Sequence, residues 1–415
     1  MSQLSRISRR APRFHPLLLL PALIALVASC RDEPPTGTAP PDQPPNLGAV
    51  LGSAPAPGEP LPLLSLYERR LFERGAAVFE TEFTPDRGLG PLFNDVGCAE
   101  CHSNPVPGAA GDDDIETHAS AFVGGVCNDL SARGGPVIQD SVTPALHAAL
   151  GIDKEPVPAE ATAVAHRTVP SLLGFGLLDA VPTWEILALA DPNDLNGDGI
   201  SGRPNLTPDG RVGRFGRKAQ IANLRDFNAG AFVNEMGITS PLEPNEQSIG
   251  GDPIPPGVDP TPEPEISQED FNAADAFVHL LAPPAPLRRT IVEERGLLLF
   301  VGIGCAACHA PSLVTGPSRV PALSFKVVYA YTDLLLHDMG PNLADICLGR
   351  ATPSEFRTEP LMGLRFKQAF LHDGRAGTIE QAIRLHDGEA ARARRRFAAL
   401  SDLERGAVLS FLGGL

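Results

Sequence analysis

Aromatic side chains are scarce. They make up 6% of the 415 residues, with one Trp and three Tyr. A chain of this size normally builds its core with more of them, so something else is expected to fill part of the interior. Strand-forming runs are also few. The best is Phe325–Tyr331, which predicts a mostly α protein with much loop and little β. The apolar stretch 16–28 is too short to be read as a membrane span. Positive charge is in short supply as well: 34 Lys and Arg face 50 Asp and Glu, a formal net charge of −16. Such a chain suits neither nucleic acid nor an anionic lipid surface. What is abundant is Gly (41) and Pro (43), the composition of short elements joined by long loops. A hydrophobic content of 43% supports a packed core and argues against global disorder.

The N-terminus reads as an export signal. Arg6, Arg9, Arg10 and Arg13 precede the apolar stretch, which ends Val27-Ala28-Ser29-Cys30. Small residues before a Cys resemble a bacterial lipobox, in which the Cys is lipidated and becomes the mature N-terminus. The alternative is an ordinary signal peptide with Cys30 incidental. Either cut removes four Arg and no acid, taking the net charge to −20. The expected location is the periplasmic side of a bacterial membrane, lipid-anchored at Cys30 or soluble. Residues 30–60 read as a Pro-rich tether. An N-terminal domain is expected over 61–242, a Pro-rich linker over 243–265 and a C-terminal domain over 266–415. An exported chain also permits a disulfide between Cys127 and Cys347.

The remaining Cys form two CxxCH motifs, Cys98-Ala-Glu-Cys101-His102 and Cys305-Ala-Ala-Cys308-His309. Each follows a helical segment carrying Glu-Arg-Gly, so the two look like copies of one unit. Two thiols two residues apart form the thioether bonds of a c-type haem. The His directly after them lies under the porphyrin and binds iron. A zinc site would need the CxxC pairs close together, and these are far apart. Two covalently attached haem c groups are therefore expected, and they account for the missing aromatic volume.

The C-terminal segment "FRTEPLMGLRFKQAFLHDGRAGTIEQAIRLHDGEA" (356–390) resembles bacterial di-haem cytochrome c peroxidases. So does "LLLHDMG" (334–340). Adding "HRTVPSLLGFGLLDAVP", "DLNGDGISGRPN", "GRFGRKA" and "NEMGITSP", the chain from about residue 61 onward resembles the di-haem oxidoreductase family, related to those peroxidases and to the enzymes that mature methylamine dehydrogenase. The resemblance implies two cytochrome c-like domains, with haems in contact across their boundary. It places the distal ligand of the C-terminal haem one helix beyond His372, at His386, giving a His309/His386 pair. It places an acid–base carboxylate, Glu235, over the N-terminal haem. Where the peroxidases carry a Gln ten residues earlier, this chain has Arg225. His118 falls where some peroxidases have a removable ligand, although its surroundings read as loop. Met236 reads as core.

The implied activity is peroxidase-like. The C-terminal haem exchanges electrons with a redox partner protein, and the N-terminal haem handles a small oxidant such as hydrogen peroxide. An electron carrier without substrate chemistry is the alternative, as is an oxidase of protein side chains, whose C-terminal haem has Tyr where this chain has His386. Asp194, Asn196 and Asp198, with Gly199, match the first half of a calcium loop, but position 12 is Asn205 rather than Glu. A tight Asp/Asn/Gly turn is the other reading. His337 and His372 read as shaping the haem surroundings, His147, His166 and His279 as structural, and Trp184 as core or haem packing.

Overall fold

Two helix crossings organise the chain, and the repeated Glu-Arg-Gly explains both. Helix α1 is Leu66–Phe79, α2 Leu224–Met236, α3 Gln268–Leu280, α4 Ile291–Ile303, α5 Ile379–Leu385 and α6 Asp402–Gly413. Capping boxes start α1, α4 and α6 at Ser65/Glu68, Thr290/Glu293 and Ser401/Glu404, satisfying amide groups that would otherwise be orphaned. The helix α1 crosses α3 at Gly75, where a Cβ would sit 1.9 Å from the Ala273 carbonyl oxygen. The helix α4 crosses α6 at Gly296, where a Cβ would sit 2.0 Å from that of Ala407. Only glycine permits such contact. The preceding Arg reaches the partner helix in each copy: Arg74 pairs with Glu269 and Asp270, Arg295 with Glu404. One turn after each glycine stands Phe79 or Phe300, with ring centroids 6.1 Å from His102 and 6.3 Å from His309.

This duplication corrects the expected boundary. The helix α3 follows the Pro-rich stretch and so falls within the expected C-terminal domain. It packs instead across α1, as α6 packs across α4. The Pro-rich stretch is an excursion carrying a small hairpin, Ser248–Ile249 with Asp252–Pro253. The computed structural model describes residues 55–285 and 287–415, and these form one compact unit. The export signal, Cys30 and most of the tether lie outside the described residues, among which no helix is long and apolar enough to cross a membrane.

Helix outweighs strand, but the longest strand lies where a loop was expected around His118. Strand β1 is Gly111–Val123, β2 Val126–Asn128, β3 Val137–Ile138 and β4 Ala163–Val169, and the last three all pair antiparallel with β1. Gly124 and Gly125, at φ +60° and +81°, make the tight turn from β1 to β2, a two-residue loop that needs left-handed residues. The expected strand at Phe325–Tyr331 shrinks to Val327–Val328. Phe325 and Tyr331 at its ends take positive φ, which breaks the extended run. Trp184, expected inside, is 65% exposed.

Cys127 on β2 is bonded to Cys347. The bridge closes a loop of 220 residues, which removes conformational freedom from the unfolded chain. Replacing both Cys with Ala is expected to cost about 2–5 kcal/mol, read from denaturant unfolding.

Candidate active site

Each CxxCH segment is one tight turn after its crossing helix. Cys98–Cys101 is a single α-turn and Cys305–Ala307 a 3₁₀ turn. Neither motif forms a disulfide. His102 Nδ1–H donates to the Ala109 carbonyl at 3.2 Å and His309 Nδ1–H to that of Tyr331 at 2.9 Å. His386, at the end of α5, does the same to Ala382 at 2.7 Å. Each bond fixes the tautomer that leaves Nε2 with a bare lone pair, the form that ligates a metal. Burial lowers the basicity of all three and takes His309 to about 4, so each is neutral. This donor set, with its vicinal thiols, fits a c-type haem at each motif.

His309, His386, Cys305 and Cys308 line one cavity of about 330 Å³. Met339 and Met362 reach its wall too. His337 and His372 also line it but are otherwise engaged. His337 lies between Asp333 (2.9 Å) and Glu389 (2.8 Å), which push its pKa to about 12; as an imidazolium it has no lone pair for iron. His372 stacks on Phe356 at 4.4 Å. His386→Ala is expected to leave haem content unchanged and convert the C-terminal centre from low to high spin; an unaltered low-spin spectrum would assign the ligand elsewhere.

At the other motif, Glu235 occupies the last turn of α2, which Asn223 caps. The Asn94 and Asp95 amides donate to the Glu235 carbonyl oxygen, and Asn94 Nδ2 donates to its Oε2 at 2.6 Å. Burial raises its pKa well above the ordinary carboxylate value, and the nearby Glu116 charge adds to this, which favours the protonated form. Glu116 was missed in the sequence. The strand β1 puts Glu116 and His118 on one face, and His118 Nε2–H donates to Glu116 Oε2 at 3.1 Å. His118 Nδ1 is buried without a partner. The hairpin signal Gly124-Gly125 would have revealed the strand and therefore this pair.

The other expectations resolve simply. Met236 is in the core beside Leu89 and Phe232. Arg225 is tied to Asp275 and Asn272 of α3. His279 bridges Asp179 and Asp275 as an imidazolium, its pKa raised to about 10. His147 bonds the Ile152 carbonyl and His166 the Thr117 hydroxyl. In the Asp194 loop, Asp194, Asn196 and Asp198 accept backbone amides of Gly199, Asp198 and Ile200. These are the bonds of an Asx-rich turn.

The sequence profile described as "Di-haem oxidoreductase, putative peroxidase" matches residues 159–415, more than half of the chain. The chain belongs to the di-haem oxidoreductase family. No curated protein sequence matches this oxidoreductase. Among solved structures, Kuenenia stuttgartiensis hydrazine synthase aligns over 95% of this chain and 100% of its own, at 13% identity and a TM-score of 0.42. A MauG-like protein associated with microbial copper homeostasis aligns over 88% and 93%, at 15% and 0.40. The diheme peroxidase BthA from Burkholderia thailandensis E264 aligns over 83% and 86%, at 15% and 0.38. These overall similarities are low, and the family profile alone carries the assignment.

Proposed function

We propose that this di-haem oxidoreductase is an exported c-type peroxidase that reduces hydrogen peroxide with electrons from a redox partner protein. In this reading Cys98, Cys101, Cys305 and Cys308 attach the two haems, and His102 and His309 are the proximal ligands. His386 would hold the C-terminal haem together with His309, and such a bis-His centre would serve as the electron port at a lower potential than a His/Met pair would give. When bound, the two haems supply the two electrons that peroxide reduction requires. Glu235, half-buried near Cys98, would hold a proton that a carboxyl can move between the two peroxide oxygens as their bond breaks. Asn94 orients that carboxyl through Oε2. The acidic surface suits a basic donor.

The observation that carries this reading is the inequality of the two sites. Three neutral imidazoles present bare Nε2 atoms, two of them on one cavity, while the third, His102, belongs to the motif with the Glu235 carboxyl in its neighbourhood. EPR of the oxidised protein tests it. One low-spin and one high-spin centre, with fast cyanide binding at the second, is the expected result. Two low-spin centres that ignore cyanide and peroxide would make the protein an electron carrier. Absence of haem c from a pyridine haemochrome assay would overturn the reading altogether.

A further inference from the structure

The cavity containing His309 and His386 is cationic, although the chain is acidic. Six Arg and Lys side chains line it against three Asp and Glu, in a protein of net charge −16. Its most buried cations share one carboxylate. Arg217 Nη1 lies 3.1 Å from Glu359 Oε1, and Arg357 Nη2 donates to Glu359 Oε2 at 2.7 Å. The two guanidinium side chains are only 11% and 3% exposed. Both are locked from behind: Arg217 donates to the Thr168 carbonyl at 2.8 Å and Arg357 to that of Gly216 at 2.9 Å. Asp333, the other acid whose charge reaches Arg357, is committed to His337. The charge of Glu116 reaches Arg217 from the N-terminal site. Lys367 also lines the cavity, and its charge acts on both Glu359 and His102.

Glu359 is the carboxylate in direct ion-pair contact with both guanidinium groups, the cavity lining carries more cations than anions, and buried charge without full compensation is costly. The geometry therefore calls for a further anion entering from the cavity, with the planar, bidentate chemistry of a carboxylate. A haem seated between His309 and His386 brings two carboxylates that must find partners. We propose that Arg217 and Arg357 hold a propionate of the C-terminal haem, with Lys367 beside them and Glu359 fixing the two guanidinium groups in place. This rests on the reading that the cavity takes a haem. It assigns a binding role to side chains outside the CxxCH and axial positions.

The test is spectroelectrochemistry of the holoprotein, with haem content measured by pyridine haemochrome in every variant. Arg357→Gln and Arg217→Gln each remove a cation that opposes ferric iron, so the midpoint potential of the low-spin haem should move negative. Glu359→Gln removes an anion and should move the same potential positive. Arg357→Lys should restore most of the wild-type value. Opposite signs from the Arg and Glu variants are a signature that a purely structural role would not produce. Two attached haems with unshifted potentials, or a shift confined to the other haem, overturn the proposal while leaving the haem reading intact. A wild type without haem c removes both. If the Arg variants do not fold, Glu359→Gln decides alone, and no positive shift counts against the proposal.

Discussion

Glu235→Gln is expected to lower peroxide turnover by about 10²- to 10⁴-fold, with both haem spectra retained. The substitution is nearly isosteric, so the amide can keep the Asn94 contact at Oε2 and the backbone anchors from Asn94 and Asp95. What it removes is the proton. Burial and the neighbouring Glu116 charge favour the protonated form of Glu235, so the wild-type group can give a proton to one peroxide oxygen, and Gln cannot. The measurement is steady-state turnover with a reduced small cytochrome as donor, alongside stopped-flow binding of cyanide. Cyanide binding should survive, because the nearly isosteric Gln leaves the space around it unchanged. Turnover within a few-fold of wild type would show that the proton comes from elsewhere, with Glu116 the next residue to replace.

Asp345→Asn is expected to destabilise the fold by about 3–5 kcal/mol. Asp345 is the carboxylate between two buried cations. Arg167 of β4 donates to its Oδ2 through Nε at 2.8 Å and Nη2 at 2.6 Å, and Lys218 Nζ lies 2.8 Å from Oδ1. Their side chains are 3% and 0% exposed. Lys218 also stands 3.4 Å over the Phe356 ring, and burial lowers its pKa to about 7. Asn would leave both cations without their anion. Adding Lys218→Met should recover part of the loss, since one stranded charge is then gone. The pH dependence has a definite sign. The two cations hold the Asp345 pKa below its ordinary value, so its contribution is fully present above about pH 4 and is lost as pH falls through the lowered pKa. Asp345→Asn should therefore be less acid-sensitive than wild type in urea unfolding, although less stable at neutral pH.

These two sites differ in how far the sequence revealed them. The CxxCH motifs stand out in the sequence because thioether attachment would fix every position, and the paired Glu-Arg-Gly segments were legible because the same helix crossing was built twice. His386 and Glu235 needed a family resemblance, since neither has a local pattern of its own. The Asp345 cluster was invisible. Arg167, Lys218 and Asp345 lie on separate segments, and only burial brings them together. The strand around Glu116 was hidden by its acidic start at residues 112–114, which reads as loop. The domain boundary failed because proline marks where chain is irregular, not where packing ends. The helix α3 belongs with α1 through the contact of Gly75 with Ala273, and one residue at a helix crossing outweighs a run of prolines.

The Cys127–Cys347 bridge bears on the order of maturation. If the chain is exported and its four motif thiols carry haem, as proposed above, an oxidising compartment would offer those thiols many wrong pairings. The native partners are far apart in sequence, whereas each CxxC pair is local and would close first. On that proposal haem attachment would have to outrun oxidation, or a reductant would have to keep the two motifs open until the long bridge has formed. A cell that exports this chain without timing those two reactions should accumulate a full-length protein that is folded in part, colourless, and rescued by a thiol reductant.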